Sequence, residues 1–202
     1  MSRAVERVFI AGDAGRIETV LDRPPGAPRG IALVAHPHPL HGGTLDNKVV
    51  QALARTFVEL GYVSLRPNFR GVGASGGAHD EGRGETEDLL RVAAHARKDL
   101  GELPLALAGF SFGAAVQTQV AQRISPERVV LVGVAVGRFP SERVPPDTIV
   151  IHGEVDETIP LSKVLDWARP QELPVVVIPG ADHFFHLRLH IIRNIVKTSW
   201  RS

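Results

Sequence analysis

The chain alternates between short, wholly apolar runs and longer amphipathic stretches. Ile31, Ala32, Leu33, Val34 and Ala35 are apolar at every position, the pattern of a strand covered on both faces of a sheet. Mostly apolar runs recur at residues 62–66, 105–108, 128–134, 148–152 and 174–178. Between them the apolar positions fall at helical spacing. Val49, Val50, Leu53, Phe57 and Leu60 follow Asp46, a candidate cap, and precede Gly61, a candidate terminator. A second helix is predicted over residues 85–98, with acidic residues at its start and basic ones at its end, as the helix dipole favours. Further helices are predicted at 114–121, 161–168 and 187–198, the last with Leu187, Ile191, Ile195 and Val196 on one face.

The opening departs from this rhythm. Residues 7–10 and 17–21 are strand-like and flank the turn residues Gly12, Asp13, Ala14 and Gly15, so they predict a hairpin. From Ile31 onward strand and helix alternate. The expected fold class is therefore α/β: a mostly parallel sheet with helices on both faces and an N-terminal antiparallel hairpin at one edge. No repeat, low-complexity tract or linker interrupts the chain, which predicts a single domain over 1–202. The connection from Val136 to Asp147 is short and proline-bearing, with no room for a helical lid.

Composition narrows the function. A net charge of +1, with both signs scattered, gives no footprint for nucleic acid or an anionic membrane. The absence of cysteine excludes disulfides, cysteine–zinc sites and a cysteine nucleophile. The first residues are charged, with no apolar leader or membrane-length run behind them, so a cytoplasmic location is expected. Nothing favours monomer over homodimer.

The chemistry centres on Gly109-Phe110-Ser111-Phe112-Gly113, set between an apolar strand and a good helix former. G-x-S-x-G in that context is a nucleophile elbow: the serine takes a strained backbone conformation, and side chains two residues away on either side would collide with neighbouring elements. The competing role for Ser111 is a helix cap. A serine nucleophile needs a base and an acid, which in this arrangement follow later strands in the order acid, histidine. After the run ending at His152 come Glu154, Asp156 and Glu157, with Asp156 the preferred acid. After the run ending at Ile178 come Asp182, His183 and His186; His183, at the tip of a loop opened by Gly180, is the preferred base. Asp182 adjoins it in sequence and should point elsewhere. The developing oxyanion needs two N–H donors. Phe112, directly after the nucleophile, supplies one. The loop after residues 31–35 supplies the other; Pro37 and Pro39 have no N–H, which leaves His38, with Leu40 as the alternative.

His36, His38 and His41 together also invite a zinc reading. The prolines fix the backbone and no carboxylate completes a ligand set, so neither metal nor cofactor is expected. The glycine-rich stretch from Arg70 to Gly76 lacks the lysine and the immediate helix of a phosphate-binding loop. Its glycines fit a tight loop, and Arg70 fits a structural tie between loops.

Taken together, the motifs at residues 36–43 (H-P-H-P-x-x-G-G), 109–113 (G-F-S-F-G), 152–160 (H-G-x-x-D-x-x-x-P) and 180–185 (G-A-D-H-F-F) resemble the α/β-hydrolase superfamily. More narrowly, the chain is similar to its small lidless bacterial serine hydrolase and esterase group, related to dienelactone hydrolase-like and serine aminopeptidase-like esterases. The stretch from Asn68 to Ser75 resembles a D-x-R-G-x-G-x-S loop of those relatives, with asparagine in place of the acid, so that acid's role does not carry over. Dienelactone hydrolases use a cysteine, which this chain lacks. The resemblance implies an eight-stranded sheet, Ser111 as nucleophile, Asp156 as acid, His183 as base, and carboxylesterase-like activity on a small-molecule acyl substrate.

Overall fold

The computed structural model describes residues 5–200; residues 1–4, part of the charged N-terminus read above, and residues 201–202 lie outside the described residues. The strands are β1 (Val5–Gly12), β2 (Gly15–Asp22), β3 (Gly30–Ala35), β4 (Tyr62–Pro67), β5 (Leu105–Phe110), β6 (Arg128–Val132), β7 (Ile149–Gly153) and β8 (Val175–Ile178). The helices are α1 (Lys48–Glu59), α2 (Arg83–Leu100), α3 (Phe112–Ala121), α4 (Leu161–Ala168) and α5 (Leu189–Trp200). All eight strands form one sheet in the order β1-β2-β4-β3-β5-β6-β7-β8. The β1–β2 and β2–β4 pairs are antiparallel and the rest parallel.

The wholly apolar strands are explained by what covers them. Successive side chains of a strand point to opposite faces. Ile31, Leu33, Leu105, Leu107, Val129 and Leu131 pack in one layer with Leu89 and Val92 of α2 and Val116 and Val120 of α3. The alternate residues, Ala32, Val34, Ala106, Ala108, Val130 and Val132, pack with Leu53 and Phe57 of α1 and Ile192 and Val196 of α5. Two dry layers leave no polar face, so period-two alternation disappears from the sequence.

The strand order also places the site. The chain runs from β3 outward to β4, then crosses back over β3 to β5 and continues to β8. This reversal leaves a crevice at the carboxyl ends of β3 and β5, where ligands of open α/β sheets bind. No helix lies between β6 and β7, so no lid covers that crevice. Among the described residues no helix is long and apolar enough to cross a membrane.

Several boundaries differ from the sequence expectation. Asn47, not Asp46, caps α1: its Oδ1 accepts from the Val49 and Val50 N–H groups at 2.9 and 3.4 Å. Asp46 instead accepts from Gln51 Nε2 through its backbone carbonyl at 3.1 Å. Helix α2 starts two residues earlier than expected because the buried Glu85 carboxylate accepts from the Gly82 and Asp80 N–H groups, both at 2.9 Å, and so organises the turn before it. Strand β6 stops at Val132, short of residue 134, and Gly133 turns with φ +54°. Leu187 lies outside α5 altogether, at φ +58° and 95% exposed. Arg70 is the structural tie expected of it. Its Nε and Nη2 donate to the two oxygens of Asp88, each at 2.9 Å, and Nη2 also reaches Gly84 O.

Candidate active site

Ser111 stands between β5 and α3 at φ +56° and ψ −118°, a conformation costly to any residue with a side chain. Its neighbours hold it there. The Ser111 N–H donates to Val132 O at 2.9 Å, and Ser111 O accepts from Ala114 N at 3.0 Å. Both flanking glycines are required sterically. A Cβ on Gly109 would lie 2.5 Å from Gly113 O, and one on Gly113 would lie 2.4 Å from His36 O. So β5 meets the start of α3 at the first glycine, and α3 meets the end of β3 at the second. The side chain of Ser111 makes no capping bond, which sets aside the capping role.

The structure brings the sequence candidates together across a long stretch of chain. His183 Nε2 lies 3.0 Å from Ser111 Oγ, and His183 Nδ1 lies 2.6 Å from Asp156 Oδ2. All three residues are buried. Asp156 is fixed through its other oxygen, which accepts from the Thr158 and Ile159 N–H groups at 2.9 and 2.7 Å. With Asp156 as the acceptor, His183 carries its proton on Nδ1 and leaves Nε2 to accept from the serine. The other acids are elsewhere. Glu154 accepts from Gly180 N in solvent, and Glu157 is exposed. Asp182 bonds His186 Nδ1 at 2.5 Å on the surface, and that bond holds its carboxyl below the usual range.

Behind Asp156 lies His152, wholly buried, with Nε2 2.8 Å from Ile159 O and 3.4 Å from Asp156 Oδ2. Burial pushes its pKa down, against the opposing pull of Ile159 O and Asp156. A neutral His152 donates to Ile159 O and tightens the turn that presents Asp156.

The loop after β3 is built around His36. Its Nδ1 donates to Pro37 O at 2.7 Å and its Nε2 accepts from Phe69 N at 2.9 Å, so the ring links this loop to the one after β4. Burial pushes its pKa down to about 4. This orientation turns His36 away from His38 and His41, so the three loop histidines do not converge. Among the described residues no cluster of metal-ligating side chains is present. His38 begins a 3-10 turn, and its Nδ1 accepts from Leu40 N at 3.2 Å. That bond occupies the Leu40 N–H, and the Leu40 side chain is 71% exposed. His38, by contrast, lines the same cavity as Ser111. Burial, then the neighbouring His79 and His41, keep the His38 pKa below its ordinary value. Phe112 opens α3, so its N–H has no intrahelical acceptor.

Three contributions were not expected from the sequence: the rings of Phe110 and Phe112 and the space left at Gly133. The Phe110 ring packs on the His183 ring at 5.1 Å between centroids, and the Phe112 ring packs on His38 at the same distance. The two variable positions of the pentapeptide thus brace the histidine and the β3 loop. Gly133 is the third: a Cβ there would sit 3.4 Å from His183 Cε1, at a φ of +54°. The aromatic repeat around Ser111 was the available signal for the first two.

The cavity over Ser111 has a volume of about 330 Å³, with apolar walls from Ala135, Phe139, Ile159 and Phe184, and with His183 and Arg138 at its margin. Past Phe184 an open groove of about 680 Å³ runs along Leu187 and Leu189 toward the N-terminus of α1.

Comparison with known proteins supports the fold. The model of the family described as Serine aminopeptidase, S33, matches residues 31–183, from the β3 run to the site histidine. A solved α/β serine hydrolase homologue from Coxiella burnetii is 38% identical, with a TM-score of 0.88 and 96% coverage of each chain. An α/β serine hydrolase without lid from Xanthomonas campestris is 34% identical, with a TM-score of 0.93 over 100% of this chain and 95% of that one. An uncharacterized protein of Rickettsia prowazekii (strain Madrid E) is 31% identical over 204 residues, spanning 90% of this chain and 83% of its own. The fold, the elbow and these matches agree: the chain belongs to the serine aminopeptidase S33 family of α/β hydrolases.

Proposed function

We propose that the protein is a serine hydrolase that cleaves small carboxylic esters through an acyl-enzyme on Ser111, with Asp156 and His183 completing a catalytic triad. The observation that carries this reading is the unbroken chain of hydrogen bonds from Ser111 Oγ through His183 to Asp156 beneath an open pocket. Ser111 Oγ attacks the ester carbonyl as its proton passes to His183 Nε2. Asp156 holds the ring by Nδ1 and stabilises the imidazolium without taking its proton. The negative oxygen of the tetrahedral intermediate is held by the N–H groups of Phe112 and His38, with the N-terminal dipole of α3 behind the first. His183 returns its proton to the leaving alcohol, then activates a water that releases the acid. With no lid and a small apolar pocket, short acyl chains fit best. A chain without cysteine suits a reducing cytoplasm.

The same triad serves thioesters, amides and acyl transfer, and the matched family model is described by a peptidase activity. A peptidase of free N-termini must hold a cationic amine. Among the described residues no Asp or Glu lines the Ser111 pocket, and Arg138 does, which favours esters over aminoacyl amides. A fluorophosphonate probe is expected to label the wild type and not Ser111→Ala. Equal labelling of the two would overturn the assignment. A panel of esters, thioesters and aminoacyl amides then ranks the bonds, with short esters expected first.

A further inference from the structure

The margin of the Ser111 pocket carries a charge that the reaction just described leaves unused. Arg138 follows Gly137, whose φ of +74° turns the chain after β6, and precedes Phe139 on the pocket wall. Its backbone N–H donates to Ala135 O at 3.3 Å. Its guanidinium has no hydrogen bond, ion pair or ring contact among the described residues. Other arginines are committed. Arg66 bonds Asp22 and Leu45 O, Arg70 bonds Asp88, and Arg128 bonds Ser199 O and lies over Trp200. An unpaired arginine on an open surface is ordinary. This one borders a concave, mostly apolar pocket that contains the proposed nucleophile and that, among the described residues, no Asp or Glu lines. The nearest carboxylates sit behind the lining, Asp156 under His183 and Glu81 and Glu85 beyond His38, and a guanidinium is well matched to a carboxylate.

The two sides of the pocket assign that carboxylate to one part of the substrate. His183 returns its proton to the leaving alcohol, so the alcohol lies on the side of His183 and Phe184, from which the outer groove continues. Arg138 and Phe139 come from a different segment, the one after β6, tied to the elbow by Ala135 N donating to Ser111 O at 3.3 Å. We propose that the pocket selects esters whose acyl chain ends in a carboxylate, with Arg138 as the residue that grips it. This rests on the serine hydrolase reading above. Hydrolysis of such a half-ester consumes one water and yields the dicarboxylic acid and the alcohol.

The test compares the p-nitrophenyl monoester of adipic acid with neutral p-nitrophenyl hexanoate, each corrected for its hydrolysis in buffer. The wild type is expected to show the higher kcat/KM on the charged ester. Arg138→Gln should lower the ratio of the two values about tenfold, the scale of one charge-assisted contact in a partly open site. Added salt should narrow the ratio in the wild type only. Hexanoate esterified to p-hydroxybenzoate, which puts the charge on the alcohol, should gain nothing from Arg138. An unchanged ratio in Arg138→Gln, or an equal gain for the alcohol-side charge, would overturn the proposal. If no ester is turned over and the fluorophosphonate does not label Ser111, the hydrolase reading fails separately. Calorimetric binding of monomethyl adipate then decides: binding lost in Arg138→Gln keeps the anion site, and no binding to the wild type ends it.

Discussion

The loops after β3 and β8 each bury one histidine, His36 and His183, and each leaves a leucine in solvent, Leu40 in the first and Leu187 in the second. The two rings differ in what they touch. His36 bonds only backbone groups, Pro37 O on one side and Phe69 N–H on the other. Neither partner gains or loses a proton in water, so protonating His36 can only break a bond. His183 bonds two side chains, a hydroxyl and a carboxylate. A proton can move along that line while the geometry stays intact. Burial and hydrogen bonding are alike in the two cases. The ionisability of the partners separates a histidine that holds a loop from one suited to chemistry.

The comparison breaks first at Ser111. Ser111→Ala should cost roughly a millionfold in kcat and Asp156→Asn roughly ten-thousandfold, the scales known for such triads, with the denaturation midpoint little changed. Steady-state assay beside urea unfolding separates the two quantities. A large stability loss with modest kinetic loss would make His183 another loop holder. The converse applies to His36. His36→Ala leaves the buried Phe69 N–H without an acceptor and opens a cavity, at about 2–4 kcal/mol in urea unfolding.

Acid sharpens the same contrast. Because burial holds the folded pKa of His36 near 4, below its ordinary value of 6.5, the unfolded chain binds the extra proton first as pH falls. The stability from neutral His36 is complete above pH 6.5 and drains away toward pH 4, roughly 3 kcal/mol in all. Urea unfolding at a series of pH values should show this slope in the wild type and a shallower one in His36→Ala. Equal slopes would mean that His36 is not the titrating group. The smallest effect belongs to Leu187. Its φ of +58° strains a leucine that buries nothing, so Leu187→Gly should gain about 0.5–1 kcal/mol. A loss would show that the exposed side chain has a stabilising contact.

The sheet was legible because β3, β5 and most of β6 are apolar throughout, and the wrapping helices keep their period. The site was legible because G-x-S-x-G constrains backbone geometry as well as residue type. What stayed hidden was decided by neighbours far away in sequence. Asp46 and Asn47 are equally good caps on paper. The choice between them follows the approach of Gln51 and Arg66 to Asp46. The closing helix starts two residues later than its apolar period predicts, because Leu187 fits the period but its backbone is left-handed. The rings of Phe110 and Phe112 gain a role only when the fold sets one under His183 and the other under His38.

The contact at Gly113 has a consequence for how the protein should respond to heat. The proposed oxyanion donors belong to different segments, Phe112 at the start of α3 and His38 in the loop beyond β3. Loops drift on warming, and a gap spanned by loops would widen well before unfolding. Here the start of α3 rests directly against the carbonyls of Ala35 and His36, with no side chain between them. The separation of the donors is thereby tied to a backbone contact at the centre of the sheet. Catalytic competence and the folded sheet should then fail at one temperature, in a single event.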